Sequence, residues 1–175
     1  KVLKIRTPVG PQIQFGSLLH SLFNEYYLSR LSGEELQLSE LLQRLSQRWS
    51  NHGYRTVEES EIDFQRAQVT LNSFYTREQK SNRKLLFSEE KFSLSIPEAK
   101  LKLRGKIDAA FEIEEGVEVR DFKTGRKRDE DKLSEEAKKS LQLRTYSLAL
   151  QEMTGRAPAR VVLDYIVSGV EGVAE

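Results

Sequence analysis

The first half of the chain has its apolar residues at helical spacing. Residues from about 15 to 30 are predicted to form an amphipathic helix, because apolar side chains recur there every three or four positions. These positions are Phe15, Leu18, Leu19, Leu22, Phe23 and Tyr26. Residues 38–49 repeat the pattern and predict a second helix. Pro8 and Pro11 precede the first helix and predict an extended segment over residues 1–14.

A third helix is predicted from Glu58 to about Lys80, with an apolar side formed by Ile62, Val69 and Phe74. Together with the second helix it makes a helical insertion over about residues 34–80, after the first helix. Because both helices are amphipathic, each is expected to bury one face against the rest of the protein.

The period of the pattern changes from helical spacing to two after Leu85, which predicts strands. Polar and apolar side chains alternate over residues 91–96, and they alternate again over residues 101–113. The sequence EEG that follows is a hairpin turn. Residues 117–123 are the third predicted strand of a meander.

The last part of the chain predicts one long helix and one strand. The helix begins in the sequence RKRDEDKLSEE and runs to about Met153, where Gly155 and Pro158 end it. Its first acidic residues suit the positive end of the helix dipole. Residues 159–169 are apolar enough for an interior strand. The element order therefore predicts an α/β fold in which helices flank a mixed central sheet.

Composition narrows the chemistry more than the fold. We expect residues 1–175 to form a single domain, since this length supports one substantial core. The chain has no cysteine, which excludes disulfides, thiolate zinc sites, iron–sulfur clusters and cysteine nucleophiles. Its net charge of +1 means that anion binding must depend on local clusters. No apolar run is long enough to span a bilayer, and the start at Lys1 suggests a fragment of a longer protein.

Two aspartates and a lysine lie within the predicted sheet. Asp121 and Lys123 project to the same face of their strand, because side chains alternate along it. If Glu115 and Gly116 form the turn, Asp108 on the neighbouring strand comes near Asp121. Two carboxylates at that distance raise each other's pKa, and bound Mg²⁺ or Mn²⁺ removes the conflict. The simpler alternative is a surface ion pair between Asp121 and Lys123.

Four other residues are candidates for the same site. His20 lies one turn after Gly16, a mid-helix glycine that costs about 1 kcal/mol against alanine, and close approach of a strand or ligand is one reason for it. His20 is then a metal ligand or a packed boundary residue. Gln142 and Tyr146 share a face of the last helix and either contact a phosphate or base edge or are surface residues. Arg126 opens a basic run that either binds phosphates or is solvated.

The order of these residues closely resembles the RecB-like branch of the PD-(D/E)XK nuclease superfamily. The matching motifs are G-x-x-x-H (Gly16, His20), E-x-x-F (Glu89, Phe92), G-x-x-D (Gly105, Asp108), D-x-K-T-G (Asp121, Lys123, Thr124, Gly125) and Q-x-x-x-Y (Gln142, Tyr146). No proline precedes Asp108, and the second acid is aspartate, as is usual in this branch. The resemblance covers about residues 15–168 and implies the αβββαβ restriction-endonuclease-like core, in agreement with the element order above.

The resemblance implies a site for Mg²⁺ or Mn²⁺ that consists of His20, Asp108, Asp121 and the backbone carbonyl of Phe122. In that site Asp108 and Asp121 are the catalytic acids. Lys123 is implied as the catalytic lysine, beside the scissile phosphate.

Further residues are implied as nucleic-acid contacts. Gln142 and Tyr146 match the helix motif that borders the active site and contacts DNA. Thr124 and Arg126, at the end of the lysine strand, are candidates for the same role. Glu89 matches an acidic position of the family and is left out of the ligand set.

The implied function is metal-dependent hydrolysis of phosphodiester bonds in DNA, by an exonuclease acting in repair or recombination. We expect a cytoplasmic, non-membrane protein that works with a UvrD/Rep-type helicase domain in the same or a partner chain. One alternative is an inactive nuclease fold that serves as a DNA-binding or protein-interaction scaffold. The other is an unrelated α/β domain, in which Asp108 and Asp121 lie more than about 10 Å apart, too far to share a cation.

Overall fold

The computed structural model describes residues 10–96, 100–125 and 132–175. The elements in chain order are α1 (Pro11–Leu31), α2 (Leu38–Arg48), α3 (Val57–Gln79), β1 (Lys84–Ile96), β2 (Leu101–Ile113), β3 (Gly116–Phe122), α4 (Leu133–Lys139), α5 (Leu141–Thr154), β4 (Arg160–Tyr165) and β5 (Val170–Ala174). None of the helices in these ranges has both the length and the hydropathy needed to cross a membrane.

The five strands form one mixed sheet in the order β1-β2-β3-β4-β5. Neighbouring strands are antiparallel except for β3 and β4, which are parallel. A parallel pair needs a crossover connection, and α4 and α5 lie in that connection. The predicted α/β class, with a mixed sheet flanked by helices, is therefore confirmed.

Two predictions about the first helices are wrong in detail. α1 begins at Pro11, so residues 11–14 are helical and not extended. Proline suits the first helical position, because its missing N–H has no intrahelical partner there. On α3 the side chains of Ile62 and Val69 are 60% and 66% exposed, so they do not form its buried side. Phe74, the third predicted residue, is fully buried, and Ala67 and Leu71 lie beside it on that side.

The long helix predicted near the C-terminus is two helices. The break lies at Ser140, whose hydroxyl accepts a hydrogen bond from the Leu143 N–H and caps α5. Gly155 ends α5 in the left-handed conformation, with a φ of 72°, as the prediction required. A cap inside a continuous amphipathic pattern therefore divided one predicted element into two.

The predicted last strand is a hairpin. β4 ends at Tyr165, and β5 returns antiparallel to it from Val170. Gly169, in the turn between them, has a φ of 71°. The sheet therefore has an edge strand that the pattern 159–169 did not predict.

The core has two layers, one on each face of the sheet. Helices α1, α2 and α3 cover one face with an aromatic cluster, in which Phe23 and Phe74 stack with ring centroids 4.1 Å apart. Helices α4 and α5 cover the other face, where Leu143 and Leu150 are fully buried. β3 lies between the layers and is buried along almost its whole length. Its end, where Asp121 lies, is consequently shielded from water.

A network of ion pairs lies between α3 and the sheet. Its members are Arg77, Glu78, Arg83, Glu118, Arg120, Arg160, Asp164 and Glu171. Glu118 and Asp164 are fully buried, and Arg120 is 3% exposed. Burial alone raises the pKa of Glu118, but Arg120 and Arg83 outweigh it and hold that pKa at about 2. These charges are therefore compensated inside the protein.

Candidate metal centre

Asp108 and Asp121 lie opposite each other where the β2–β3 ladder ends. Ala109 pairs with Arg120, so the next position outward places Asp108 across from Asp121. Directly opposed residues have Cα atoms about 4.5–5.5 Å apart. The turn consists of residues 114–115, one position before the predicted turn, and this register brings the two acids together.

Both aspartates are buried, with exposed fractions of 8% for Asp108 and 1% for Asp121. Burial raises the pKa of Asp108 to about 6. Burial, followed by the charge of Asp108, raises the pKa of Asp121 to about 6. The Lys123 ammonium lies 2.7 Å from Asp121 Oδ2 and offsets part of this cost. The pair is therefore not a solvated surface ion pair.

His20 reaches the same place from α1. Its Nε2 lies 3.1 Å from the backbone carbonyl oxygen of Phe122, and its Nδ1 lies 3.7 Å from Asp108 Oδ2. Burial lowers the pKa of His20, which favours the neutral imidazole that binds metals. When Nε2 carries the proton and donates to Phe122, the Nδ1 lone pair faces Asp108. The Phe122 N–H in turn donates to Asp108 Oδ2 over 2.9 Å, so the predicted ligands are linked to one another.

Glu89 is a neighbour that the predicted ligand set omitted. His20, Glu89 and Asp108 each offer one ligand atom, and these atoms lie within 4.8 Å of one another. Glu89 has a φ of 54°, an uncommon conformation for a non-glycine residue within a strand. The Lys106 ammonium contacts its other carboxylate oxygen. The E-x-x-F motif identified Glu89 in the sequence, but only the fold shows that its carboxylate lies beside His20 and Asp108.

The helix motif of α5 connects to the lysine. Lys123 Nζ donates to Gln142 Oε1 over 2.7 Å, and Gln142 Nε2 donates to the Tyr146 hydroxyl over 2.7 Å. Tyr146 is 5% exposed, so the reading of this pair as two surface residues is wrong for the tyrosine. Burial, then Asp108 and Asp121, raise the pKa of Tyr146. Gln142 therefore contacts the lysine directly, and Tyr146 positions Gln142.

Comparison with known proteins agrees with this geometry. The family model of the PD-(D/E)XK nuclease superfamily matches residues 1–170. The chain belongs to the PD-(D/E)XK nuclease superfamily. Asp121, Phe122 and Lys123, where β3 ends, have a sequence of the D-x-K form that this name describes. Its members are nucleases, phosphodiester hydrolases that generally use divalent metals.

Two other comparisons add little. No curated protein matches the chain. Among solved structures, protein VC1899 from Vibrio cholerae matches with 14% identity and a TM-score of 0.31, over 87% of this chain and 42% of that one. This chain thus spans less than half of that protein, and a likeness at this level carries no argument.

The donors of this PD-(D/E)XK site fit a hard divalent cation. Of the predicted ligands, His20 and Asp108 group with Glu89, and the ligand atoms of these three residues lie within 4.8 Å of one another. Asp121 is not in that group, and the Phe122 carbonyl oxygen lies 3.1 Å from His20 Nε2. Oxygen-rich sets of this kind suit Mg²⁺ or Mn²⁺. The raised pKa values of both aspartates mark buried negative charge that protein cations only partly offset, and a bound cation would remove that cost.

Two further predicted contacts have different outcomes. Thr124 is half-buried beside α1, where a Cβ at Gly16 would lie 2.8 Å from its Oγ1. Close approach of a strand was one reason predicted for this glycine, and Thr124, two residues after the end of β3, makes that approach. Arg126 lies outside the described residues.

Replacing Gly16 with alanine is expected to displace this strand end. Alanine favours the helix by about 1 kcal/mol, but the clash with Thr124 costs about 1–3 kcal/mol and moves the adjacent Lys123. We expect cleavage to fall about tenfold or more, because positioning errors near 1 Å cost up to about 100-fold. The measurement is the nuclease rate together with thermal unfolding.

Thr124→Ala provides the matched control, because it removes the Oγ1 that the new methyl group meets. In the Gly16→Ala/Thr124→Ala double variant the rate should return to that of Thr124→Ala alone. A Gly16→Ala protein that is more stable and fully active would show that the close approach has no bearing on the site.

Proposed function

We propose that this nuclease is a metal-dependent deoxyribonuclease of the RecB-like branch. It acts as an exonuclease in repair or recombination, coupled to a helicase domain in the same or a partner chain. The observation that supports it best is the buried pair Asp108 and Asp121, with the Lys123 ammonium 2.7 Å from Asp121. An arrangement of this kind costs stability without a cation and serves hydrolysis with one.

The proposed chemistry divides between the acids and the lysine. A divalent cation, when bound, supplies positive charge for the attacking and leaving oxygens of the phosphodiester. Asp108 and Asp121 would hold such a cation, with His20 and Glu89 beside them. Lys123 donates hydrogen bonds to the phosphate and stabilises the charge that develops on it.

Two neighbouring side chains position the Lys123 ammonium for this role. Asp121 Oδ2 lies 2.7 Å from this ammonium, and Gln142 accepts one of its hydrogen bonds. The Lys123 N–H is also fixed, because it donates to the Asp164 carbonyl of β4 over 2.7 Å. The Lys123 side chain is 34% exposed, so it remains open to a substrate. The order of motifs, and in particular Gln142 and Tyr146 beside the lysine, supports the RecB-like assignment.

Lys123→Ala tests the proposal. We expect DNA cleavage in Mg²⁺ or Mn²⁺ to fall by about 10²–10⁴-fold, because the residue stabilises developing charge. Metal binding, followed as a thermal shift, should persist because the carboxylates remain. Lys84→Ala is the matched control, since its side chain is 76% exposed and pairs with Glu112 in the β1–β2 ladder, which does not include Lys123.

The choice of substrate distinguishes the possible activities. Linear and circular DNA distinguish an exonuclease from an endonuclease, and an RNA of the same sequence tests the sugar. Equal cleavage by Lys123→Ala and the parent would assign the activity to a contaminant or to another site. Metal-independent DNA binding without cleavage of any substrate would instead favour the scaffold function.

A further inference from the structure

The strands β1 and β2 extend beyond the rest of the sheet. β3 pairs with β2 only from Ala109 to Ile113, whereas the β1–β2 ladder continues outward to the pair Ile96–Leu101. Residues 90–96 and 101–107 therefore form a two-stranded extension, called here the β1–β2 ribbon. The inner end of this ribbon adjoins Glu89 and Asp108 of the candidate metal centre.

One side of the ribbon is covered by protein. Phe92 and Leu94 are 8% and 5% exposed and belong to the core under α5. The Phe92 ring meets the Tyr146 ring edge-on, with centroids 6.0 Å apart. These contacts fix the ribbon relative to the helix that holds Lys123 through Gln142. The ribbon is thus a positioned surface, and its other side chains are free to face solvent.

The exposed side of the ribbon is strongly basic. Its cross-strand pairs are Lys91–Lys106, Ser93–Arg104 and Ser95–Lys102, and all six side chains are exposed. Four of the six positions are cationic and none is acidic. The whole chain carries a net charge of only +1, so this is a local concentration.

Within the protein this concentration is poorly compensated. In the described residues no carboxylate forms an ion pair with Lys91, Lys102 or Arg104. Only Lys106 has an acidic contact there, with Glu89. Like charges placed directly opposite each other, as in Lys91 and Lys106, destabilise a sheet. An arrangement that is unfavourable alone becomes favourable against a row of anions.

The dimensions of the surface suit a polynucleotide. From Lys106 to Lys102 the strand rises about 13 Å, at roughly 3.3 Å per residue. That length spans about four phosphates of one strand of B-form DNA, which are spaced 3.4 Å along the axis. The serines between the cations add hydroxyl donors, which commonly contact phosphate oxygens. The row starts beside the metal centre and leads away from it.

We propose that the exposed side of the β1–β2 ribbon binds the phosphate backbone of the DNA strand whose end lies in the metal centre. This inference rests on the proposed function, since it assigns a path to the substrate of that site. Lys91, Lys102 and Arg104 bind through charge and carry no base specificity. Lys106 lies where the ribbon adjoins the metal centre, between the DNA phosphate backbone and Glu89.

The test compares two variants with equal loss of charge. The ribbon variant is Lys91→Gln/Lys102→Gln/Arg104→Gln, and Lys106 is kept because it contacts Glu89. The matched control, Arg55→Gln/Lys80→Gln/Arg156→Gln, removes three exposed cations elsewhere. Binding of a fluorescent DNA oligonucleotide is followed by anisotropy in EDTA across a salt series. Cleavage of thymidine 5′-(p-nitrophenyl phosphate), too short to reach the ribbon, is measured with Mn²⁺.

In the ribbon variant we expect DNA binding to weaken about 10–100-fold and the slope of log K against log salt to fall by about 2–3, near 0.9 for each lost phosphate contact. Cleavage of the short ester should stay within about twofold of the parent. The control variant should keep most of the affinity. These results together would support the ribbon as the binding surface.

Other results would overturn the inference. Equal weakening by both variants would mean that only bulk charge matters, and no weakening in the ribbon variant would remove its role. A ribbon-dependent affinity for RNA with none for DNA would make the DNA assignment wrong. If DNA binding depends on the ribbon but neither substrate is cleaved with any metal, the binding surface stands and the proposed nuclease function fails.

Discussion

Asp121→Asn is expected to abolish cleavage and, at neutral pH, to stabilise the metal-free protein. The loss should be about 10³-fold or more, since the charge supplied through a bound cation amounts to several kcal/mol. Thermal unfolding without metal should give a gain of about 1–3 kcal/mol, because the variant lacks a buried charge. Function and stability thus change in opposite directions at one residue.

The sign of the stability effect follows from the pKa values. The pKa of Asp121 rises from 3.8 to about 6 on folding, mainly through burial and then through Asp108. Between these pH values the folded protein holds protons that the unfolded chain has released, so stability falls as the pH rises through this window. At pH 7.5 the full cost is present, whereas below about pH 4 the parent and Asp121→Asn should be equally stable.

Metal provides a second measurement on the same variant. Mg²⁺ or Mn²⁺ should raise the melting temperature of the parent, because it binds the folded state. It should have little effect on Asp121→Asn. Glu112→Gln is the control for removal of one negative charge, since its side chain is 42% exposed. An Asp121→Asn protein that is less stable than the parent at pH 7.5, or that still cleaves DNA, would contradict the account of the site.

Arg120→Met is expected to lower the free energy of unfolding by about 3–5 kcal/mol. Arg120 is 3% exposed, and its guanidinium contacts Glu118, Asp164 and Glu171. Without it, Glu118 and Asp164 stay buried with one cation fewer. Urea unfolding at pH 7.5 measures the loss.

Acid titration adds a distinguishing feature. Because the pKa of Glu118 lies near 2 in the folded protein and at 4.5 unfolded, this residue stabilises the parent above about pH 4.5. That contribution is lost as the pH falls from 4.5 towards 2. The Arg120→Met variant should lose less over the same interval, since part of the contribution is already gone.

A surface arginine serves as the comparison. Arg44 is 40% exposed and pairs with Glu25, so Arg44→Met should cost less than about 1 kcal/mol. A loss below 1 kcal/mol for Arg120→Met as well would mean that the network does not hold α3 to the sheet.

Much of the fold could be predicted because helical and strand periods are local. The apolar spacing of α1 and α2 and the alternation of β1 and β2 identified these elements directly. The division between α4 and α5 was missed because a single capping serine interrupts a pattern that otherwise continues. The turn was placed one residue late because acidic residues and glycine suit either register, and the ladder decides between them.

The buried ion network could not be predicted from the alternation along β3. Glu118 and Arg120 alternate with Val117 and Val119, which is typical of a strand with one face in water. In the fold both faces of β3 are covered, so Glu118 and Arg120 on its polar face are buried as well. Its partners come from α3, β4 and β5, which are distant in the chain.

The sequence by itself determined the chemistry available to this protein: an imidazole, carboxylates, a lysine, a Q-x-x-x-Y helix and no thiol. Their order was also enough to indicate a nuclease superfamily. The tertiary structure alone decided that Glu89 joins His20 and Asp108, that Gln142 holds Lys123, and that the ribbon cations share one face. The physical reason is that side-chain periods are set by neighbouring residues, whereas convergence of groups from α1, β1, β2, β3 and α5 depends on strand register and helix packing.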